Sequence, residues 1–367
     1  MTNSVVLGLP RWSLAVPPLA VVVLLLSWGR DLGVVLLILV CAGLGAAVIA
    51  AVHHAEVVAH RVGEPFGTLI LALAVTIIEV GLIVTLMSSG GDGAASLARD
   101  TVFAAVMITC NGILGLALVV GSLKHHVQEF RVHASSSALA VMTALVTLSL
   151  VLPTFTTSAP GPRFSSAQLA FAGVASLVMY GVFVFVQTIR HRDYFLPVPS
   201  ETEPEESEED HAHAPSGKVA LFSLGLLFVC LVSVVGLAKT VSPKLESAVE
   251  SAGAPLAVVG VVIALLVLLP ETVAAVRAAL RNRLQTSMNL ALGSALASIG
   301  LTIPAIAVAS IWLNGPLVLG LGGKEMVLFV LTVVTSIITL ATGRATLLQG
   351  AVHLMVFSAF LFLAVSP

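Results

Sequence analysis

The chain of 367 residues carries 58% hydrophobic and 10% charged side chains, and its mean hydropathy is +1.08. Soluble globular domains have roughly 45–50% apolar and about 25% charged residues, so this composition excludes a water-soluble enzyme. The three cysteines all fall inside apolar runs and are too few for a disulfide scaffold. With a formal net charge of −2, the charge balance indicates no particular partner. We predict an integral membrane protein.

Eleven apolar segments are long enough to cross a bilayer, which requires about 20 mostly apolar residues in a helix. Their number and length favour an all-α polytopic membrane protein over a β-barrel, whose strands would be shorter and alternating. No A-x-A cleavage motif follows the first segment, so we expect it to stay as a helix. The predicted spans lie near 12–29, 33–52, 66–88, 101–122, 136–153, 165–189, 219–239, 254–276, 287–313, 325–342 and 345–365.

Basic residues are distributed unevenly between the two sides of this predicted topology. With the N-terminus in the cytoplasm, 11 of the 17 Lys and Arg residues lie inside, the side that these residues prefer. We therefore expect a multi-pass protein of the bacterial cytoplasmic membrane, with its N-terminus inside and its C-terminus outside. The inside residues are Arg11, Arg61, Lys124, Arg131, Arg190, Arg192, Lys218, Arg277, Arg281, Arg283 and Arg344.

One long polar stretch divides the chain into two sets of five spans. Residues 197–218 form a predicted acidic cytoplasmic linker between a first five-helix repeat at 33–196 and a second at 219–367. Residues 1–32 add an N-terminal helix. An odd number of spans per set requires the two sets to be inserted upside-down to one another. Such inverted repeats are common in secondary transporters, whose substrate site lies near the bilayer midplane where the repeats meet.

Two of the 19 acidic residues lie inside predicted spans rather than in loops or near helix ends. Glu79 has no other charged residue between Glu64 and Asp92, and Glu271 follows a long aliphatic run that ends in Pro270. An acidic side chain at the centre of a membrane helix costs roughly 2.5–3.5 kcal/mol on insertion scales. Each of these two acids is therefore a candidate functional residue.

The two acids are placed symmetrically. Glu79 is 14 residues after Pro65 in the third span, and Glu271 is 16 residues after Pro255 in the eighth. These spans are the second helix of each predicted repeat. Two carboxylates at close range cannot both stay ionised without a counter-charge, so an empty pair must hold protons or a cation. We infer that a cation and protons compete for these two residues.

Further oxygen ligands are available at neighbouring positions, and Ca²⁺ takes about six to eight of them. Pro270 has no N–H and frees a carbonyl one turn earlier in its helix. Small and hydroxylated residues also serve ordinary helix packing in membranes, so both roles are open for each side chain. The candidates are Thr76, one turn before the first acid, Asn111 in the middle of its span, and Ser294, Ser298 and Thr302 on one helix face.

At these segments the sequence resembles the calcium/cation antiporter superfamily, and most closely the bacterial ChaA group of calcium/proton antiporters. The resemblance is carried by AEVVAHRVGEPFGT (55–68) leading to Glu79, and by Pro270-Glu271 followed by NLALGSALASIGLTIP (289–304). It covers nearly the whole chain and implies that both acids alternately bind cation and proton. Wider relatives carry Gly-Asn-x-x-Glu before each acid, and here Val-Thr-Ile-Ile-Glu79 and Leu-Leu-Pro-Glu271 lack that amide. The ChaA group is associated with Na⁺ and K⁺ as well as Ca²⁺.

The acidic linker holds seven acids in ten residues, followed by two histidines. A solvated, disordered segment is the simpler interpretation, and a cytoplasmic Ca²⁺ or pH sensor is the alternative that the resemblance suggests. Two other histidine pairs, 53–54 and 125–126, are interpreted as polar caps of cytoplasmic helix ends, with pH sensing as the alternative. The candidate regulatory residues of the linker are Glu205, Glu206, Glu208, Glu209, Asp210, His211 and His213.

Several functions are compatible with this pattern. The first is a secondary antiporter that expels Ca²⁺ at the expense of the proton gradient, and the second moves Na⁺ or K⁺ against H⁺ with the same fold. A membrane-embedded enzyme is not expected, because no His-Glu-x-x-His, Gly-x-Ser-x-Gly or Asp-rich lipid-phosphate motif occurs. A channel would usually build its site from an oligomeric ring. We expect no cofactor and no nucleic acid, the lipid bilayer and inorganic cations as partners, and leave a homo-oligomer open.

Overall fold

Helices make up most of the chain in the computed structural model, which describes residues 5–6, 8–63, 66–89, 94–196, 215–313 and 315–367. The helices before the acidic stretch are α1 (Arg11–Ser27), α2 (Val34–Val62), α3 (Phe66–Ser89), α4 (Leu97–Met107), α5 (Leu114–His125), α6 (Val132–Val146), α7 (Ser166–Phe185) and α8 (Arg192–Phe195). Those after it are α9 (Gly217–Ser251), α10 (Ala257–Val267), α11 (Leu269–Leu280), α12 (Leu284–Ala309), α13 (Gly323–Ala341) and α14 (Leu347–Val365).

Short irregular helices and strands complete the backbone. Three π-helical turns continue α4, α6 and α7, at Ile108–Ile113, Thr147–Val151 and Val186–Arg190, and a 3₁₀ turn follows at Leu152–Thr154. Two antiparallel strand pairs join β1 (Val5–Val6) to β2 (Leu9–Pro10), and β3 (Gln128–Glu129) to β4 (Arg344–Ala345).

Each of the eleven predicted spans falls on an apolar helix or a continuous run of helices. Among the described residues, nine of these are long and apolar enough to cross a membrane. Helices α10 and α11 make a tenth if this bent pair is taken as one span. Helix α1 has 17 residues and is shorter than a usual span. The predicted all-α polytopic class is confirmed, and the N-terminal helix is one residue shorter than the 18-residue span predicted at 12–29.

The last span on each side of the acidic stretch begins with the same capping arrangement. At α7 the Ser165 hydroxyl accepts from the Gln168 backbone N–H, and the Gln168 side chain accepts from the Ser165 N–H at 2.9 Å. At α14 Thr346 and Gln349 form the same reciprocal pair. Such capping boxes satisfy N–H groups that have no partner within the helix, which explains why both helices begin where they do.

The chain divides into two compact units that do not coincide with the two predicted repeats. Unit 1 comprises residues 1–85 and 199–247, and unit 2 comprises residues 86–198 and 248–367. In unit 1, α1 packs along α2, and α2 meets α9 where Gly43 lies against Leu237. Helix α3 meets α9 where Gly81 lies against Val235. Each unit therefore contains helices from both sides of the acidic stretch.

Unit 2 is built on two reciprocal helix crossings. Helix α14 packs against α5 and the Ile108–Ile113 turn, whereas α7 packs against α12. A Cβ added to Gly115 would lie 3.0 Å from the Cβ of His353, and one added to Gly300 would lie 2.6 Å from the Cβ of Tyr180. In both crossings a glycine on one side of the acidic stretch lets the last span on the other side approach closely, as small residues commonly do between membrane helices.

Loop contacts in unit 2 form two separate groups. In the first, Lys124 donates to the Leu280 carbonyl at 2.9 Å, and β3 pairs with β4. In the second, the Val318 N–H donates to the Ala95 carbonyl at 2.8 Å. Loops that the predicted topology assigns to one side of the membrane thus bond to loops of that same side. The identity of the cytoplasmic side stays a prediction from the basic residues.

Candidate cation site

Glu79 lies in the middle of α3, and its side chain is only 3% exposed. Thr76, one turn earlier, is 5% exposed, and its hydroxyl donates to the Ala72 carbonyl at 2.8 Å. Because that proton is used within the helix, the Thr76 oxygen has only lone pairs to offer to a neighbour. Helix α3 runs unbroken through both residues, since the apolar run that surrounds them contains no proline after residue 65.

Glu271 occupies a different backbone setting, at the first turn of α11 immediately after a helix break. Helices α10 and α11 meet at 52°, and Pro270 lies at the start of α11. Proline cannot donate to the carbonyl four residues earlier, so the Leu266 carbonyl has no backbone donor at position 270. The positive end of the α11 dipole also favours a negative charge at this turn. The carbonyl that we expected Pro270 to free thus lies at a break in the span. The half-buried Glu271 lies at the start of the helix that follows the break.

Asn111 is fully buried on the Ile108–Ile113 π-helical turn. Its side-chain N–H donates to the Thr332 hydroxyl at 2.9 Å, and its Oδ1 lies 3.2 Å from Nδ1 of His353. The turn packs against both α11 and α12. Unit 2 therefore brings the backbone turn of Asn111 into contact with the helix that carries Glu271 and with the helix that carries the predicted serine ligands.

Helix α12 carries the predicted hydroxyl face. Ser294 is half-buried, Ser298 is 5% exposed and Thr302 is fully buried. The Thr302 hydroxyl has no hydrogen-bond partner among the described residues. Such an atom inside a membrane protein is costly unless a ligand, an ion or water satisfies it. Of the hydroxyls proposed from the sequence, Thr302 has the strongest structural reason to take an external partner.

A family model described as "Sodium/calcium exchanger protein" matches residues 32–189 and 222–366, one segment on each side of the acidic stretch. The chain belongs to the sodium/calcium exchanger family. The family resemblance inferred from the sequence motifs is thereby confirmed.

Relatives of this exchanger cover almost all of its length. It is 49% identical over 361 residues to the putative ionic transporter y4hA of Sinorhizobium fredii, covering 98% of this chain and 97% of that protein. It is 38% identical over 354 residues to the sodium-potassium/proton antiporter ChaA of Escherichia coli, covering 95% and 94%. The structure of native YfkE matches with a TM-score of 0.72 at 19% identity, covering 97% of this chain and 99% of that one. The last similarity shows the fold alone.

The sequence-predicted site residues of the exchanger are divided between the two units. Thr76 and Glu79 belong to unit 1, whereas Asn111, Glu271 and the α12 serines belong to unit 2. The candidate regulatory residues of the acidic linker lie outside the described residues. The roles of all these residues in ion binding stay predictions.

Two histidines bond to backbone carbonyls of neighbouring helices. His54 is fully buried, and its Nε2 lies 2.9 Å from the Ser13 carbonyl of α1. His125 Nε2 lies 2.9 Å from the Leu280 carbonyl, in the last turn of α11. Side chains that bond the last carbonyls of a helix stabilise its end. Only the His125 contact is therefore a cap of a helix end, because Ser13 lies in the first turn of α1 and His54 lies eight residues before the end of α2.

Sequence reasoning did not find the residues that hold Asn111. His353 was noted only as a histidine inside the last span, and Thr332 and Thr339 were not singled out. The available signal was a polar face on an otherwise apolar helix, because Thr332, Ser336 and Thr339 follow one another at spacings of four and three residues. All three are buried in α13. A single sequence does not show which residue of another span such a face contacts.

Proposed function

We propose that this exchanger is a cation/proton antiporter that moves cytoplasmic Ca²⁺ outward in exchange for external H⁺ by alternating access. The cation and protons compete for the carboxylates of Glu79 and Glu271. The observation that carries this proposal is the position of Glu79, an acidic side chain that is 3% exposed in the middle of an uninterrupted apolar helix. Membership of the exchanger family supports it.

The physical argument starts from the cost of a carboxylate in this setting. An ionised acid in a membrane interior is retained only where a counter-charge or a proton compensates it. A carboxylate that must always hold one or the other couples the departure of a cation to the arrival of protons. Two carboxylates match the charge of one Ca²⁺, or of two protons. The helix break before Glu271 adds a carbonyl oxygen and a helix N-terminus, features that secondary transporters use at ion sites.

The runner-up function is Na⁺ or K⁺ exchange for H⁺ by the same two acids. It is favoured by the 38% identical relative that is named a sodium-potassium/proton antiporter. Calcium is supported by a relative from Aphanothece halophytica, 26% identical over 336 residues, that is named a Ca²⁺/H⁺ antiporter. Hard oxygen ligands such as carboxylates, hydroxyls and carbonyls suit Ca²⁺, and we therefore place calcium first.

The deciding experiment compares cations on the unmodified protein. Everted membrane vesicles of a strain that lacks other antiporters are acidified by respiration, and CaCl₂, NaCl or KCl is then added while a pH-sensitive dye reports internal pH. We expect CaCl₂ to release protons, and vesicles without the protein to release none. A response to NaCl or KCl with none to CaCl₂ would replace the first proposal with the runner-up. No response to any of the three would contradict both.

A further inference from the structure

A chain of hydrogen bonds runs between three spans in the interior of unit 2. It joins Thr339 and Thr332 of α13, His353 of α14 and Asn111 of the π-helical turn. His353 and Asn111 are both fully buried. Polar side chains inside a membrane protein are rare and are usually retained for function, and the proposed exchange does not by itself use His353.

The hydrogen bonds of this chain run in one direction from donor to acceptor, and the Thr332 hydroxyl determines that direction. The Thr332 hydroxyl donates to the Leu328 carbonyl at 2.7 Å, so its oxygen can only accept from Asn111. The amide nitrogen of Asn111 must therefore point to Thr332 at 2.9 Å, and its oxygen must point to Nδ1 of His353 at 3.2 Å. Nδ1 then carries the imidazole proton, and Nε2 accepts from the Thr339 hydroxyl at 3.1 Å. The Asn111 nitrogen and the Thr332 hydroxyl also lie 3.9 and 3.5 Å from the sulfur of Met107, a weaker acceptor, and the His353 ring also bonds the backbone of Cys110.

This arrangement controls which atom Asn111 presents to the rest of the site. An amide oxygen has two lone pairs, and His353 uses one of them. An amide that was free to rotate by a half-turn would present its NH₂ group instead, which repels a cation. The π-helical turn that carries Asn111 packs on α11 and α12, and π-helical turns inside α-helices often mark functional positions.

The crossing of α7 with α12 lacks a pair like His353 and Asn111. At that crossing Tyr180 of α7 lies against Gly300 of α12, just as His353 of α14 lies against Gly115 of α5 at the first crossing. Leu296, one turn before Gly300, takes the place that Asn111 has one turn before Gly115. Close helix packing therefore needs only the glycine, and the histidine–asparagine pair is an addition confined to one crossing.

We propose that His353 is a positioning residue of the cation site, because its Nδ1–H holds the Asn111 amide with the oxygen, rather than the NH₂ group, toward the transported cation. This inference rests on the proposed function and adds Asn111 and His353 to it as a ligand and its support.

The test uses substitutions that separate hydrogen bonding from packing. His353→Leu removes both bonds of the imidazole and keeps an apolar side chain of similar bulk. His353→Asn keeps an N–H donor at the position of Nδ1, whereas His353→Gln places its amide at the position of Nε2, beyond reach of Asn111. Thr339→Val removes only the outer bond. Each variant is assayed in everted vesicles with the cation, among CaCl₂, NaCl and KCl, that gives the largest proton release with the unmodified protein.

We expect His353→Leu and His353→Gln to raise the KM for the cation by roughly 10-fold or more, the range for losing a hydrogen-bond partner of a metal ligand, with little change in maximal rate. His353→Asn should stay within about threefold of the unmodified KM, because the donor to Asn111 is retained. Thr339→Val should have a similarly small effect. A structural role would instead lower the amount of folded protein and the maximal rate, and asparagine would not restore the KM.

Two results would overturn the proposal. One is an unchanged KM in His353→Leu, and the other is equal damage in the leucine and asparagine variants. If His353→Leu does not yield monodisperse protein, Thr332→Val provides the second test, since it removes the acceptor that orients the same amide and should also raise the KM. An absence of exchange by the unmodified protein would instead contradict the proposed function, so the two failures are distinguishable.

Discussion

Glu79→Gln and Glu271→Gln should each reduce cation-dependent proton release in everted vesicles to the level of vesicles without the protein. Glutamine has nearly the same shape as glutamate, but it can neither bind a proton at neutral pH nor supply a negative charge to a cation. The loss should therefore affect the exchange itself and leave the fold intact. The measurement is the dye response to CaCl₂, NaCl and KCl, normalised to the amount of protein in the membrane.

The matched control for these variants is Glu250→Gln. Glu250 is an exposed residue near the end of α9, within a helix but outside the predicted membrane interior. It should retain unmodified exchange with every cation. Normal exchange in Glu79→Gln or Glu271→Gln would show that the corresponding carboxylate is not required, and the competition mechanism would then have to be abandoned.

Gly350→Leu is expected to destabilise the protein strongly. Gly350 is a buried residue of α14, and a Cβ added there would lie 2.7 Å from the backbone nitrogen of Val119 and 2.9 Å from the Cβ of Leu118. The backbone of α5 cannot move aside as a flexible side chain would. Overpacking of this kind costs about 1–3 kcal/mol or more. We expect the unfolding temperature in detergent, followed by size-exclusion chromatography after heating, to fall by roughly 2–4 °C for each kcal/mol lost.

Gly225→Leu is the control for this second result. Gly225 is an exposed helical glycine of α9, and a Cβ there would meet nothing within 4 Å. Leucine also favours helix over glycine by nearly 1 kcal/mol. The unfolding temperature of Gly225→Leu should therefore equal or exceed that of the unmodified protein. If both glycine variants melted at the same temperature, the close crossing of α5 and α14 would not contribute to stability.

The spans and the two acids within them could be predicted because both depend on local sequence. An apolar run of span length indicates a membrane helix whatever its neighbours are, and an acid within such a run is conspicuous. The family resemblance had the same basis, since it was carried by the segments around Glu79 and Glu271. Pro270 indicated a break near residue 268, but the local sequence did not give its angle of 52°.

The support of Asn111 could not be predicted, because its partners are remote in the chain. Thr332 and His353 are separated from Asn111 by 221 and 242 residues, and no periodicity within one span identifies a partner in another. The π-helical turn could not be predicted from the sequence for a different reason. It accommodates one extra residue within an apolar run, and such a run has the same composition with or without the irregularity. Both features follow from tertiary packing rather than from local preference.

The reciprocal crossings of unit 2 have a consequence for biosynthesis. Gly112 and Gly115 pack against Phe357 and His353 of α14. The α14 residues are synthesised more than 200 residues later, since Asn111 and His353 are 242 residues apart. At roughly 5–20 residues per second, this delay lasts on the order of 10–50 s. During that time the helices before the acidic stretch lack the residues that cover Gly112 and Gly115. Assembly must therefore be largely post-insertional, and the two sets produced as separate polypeptides should still find each other in the bilayer.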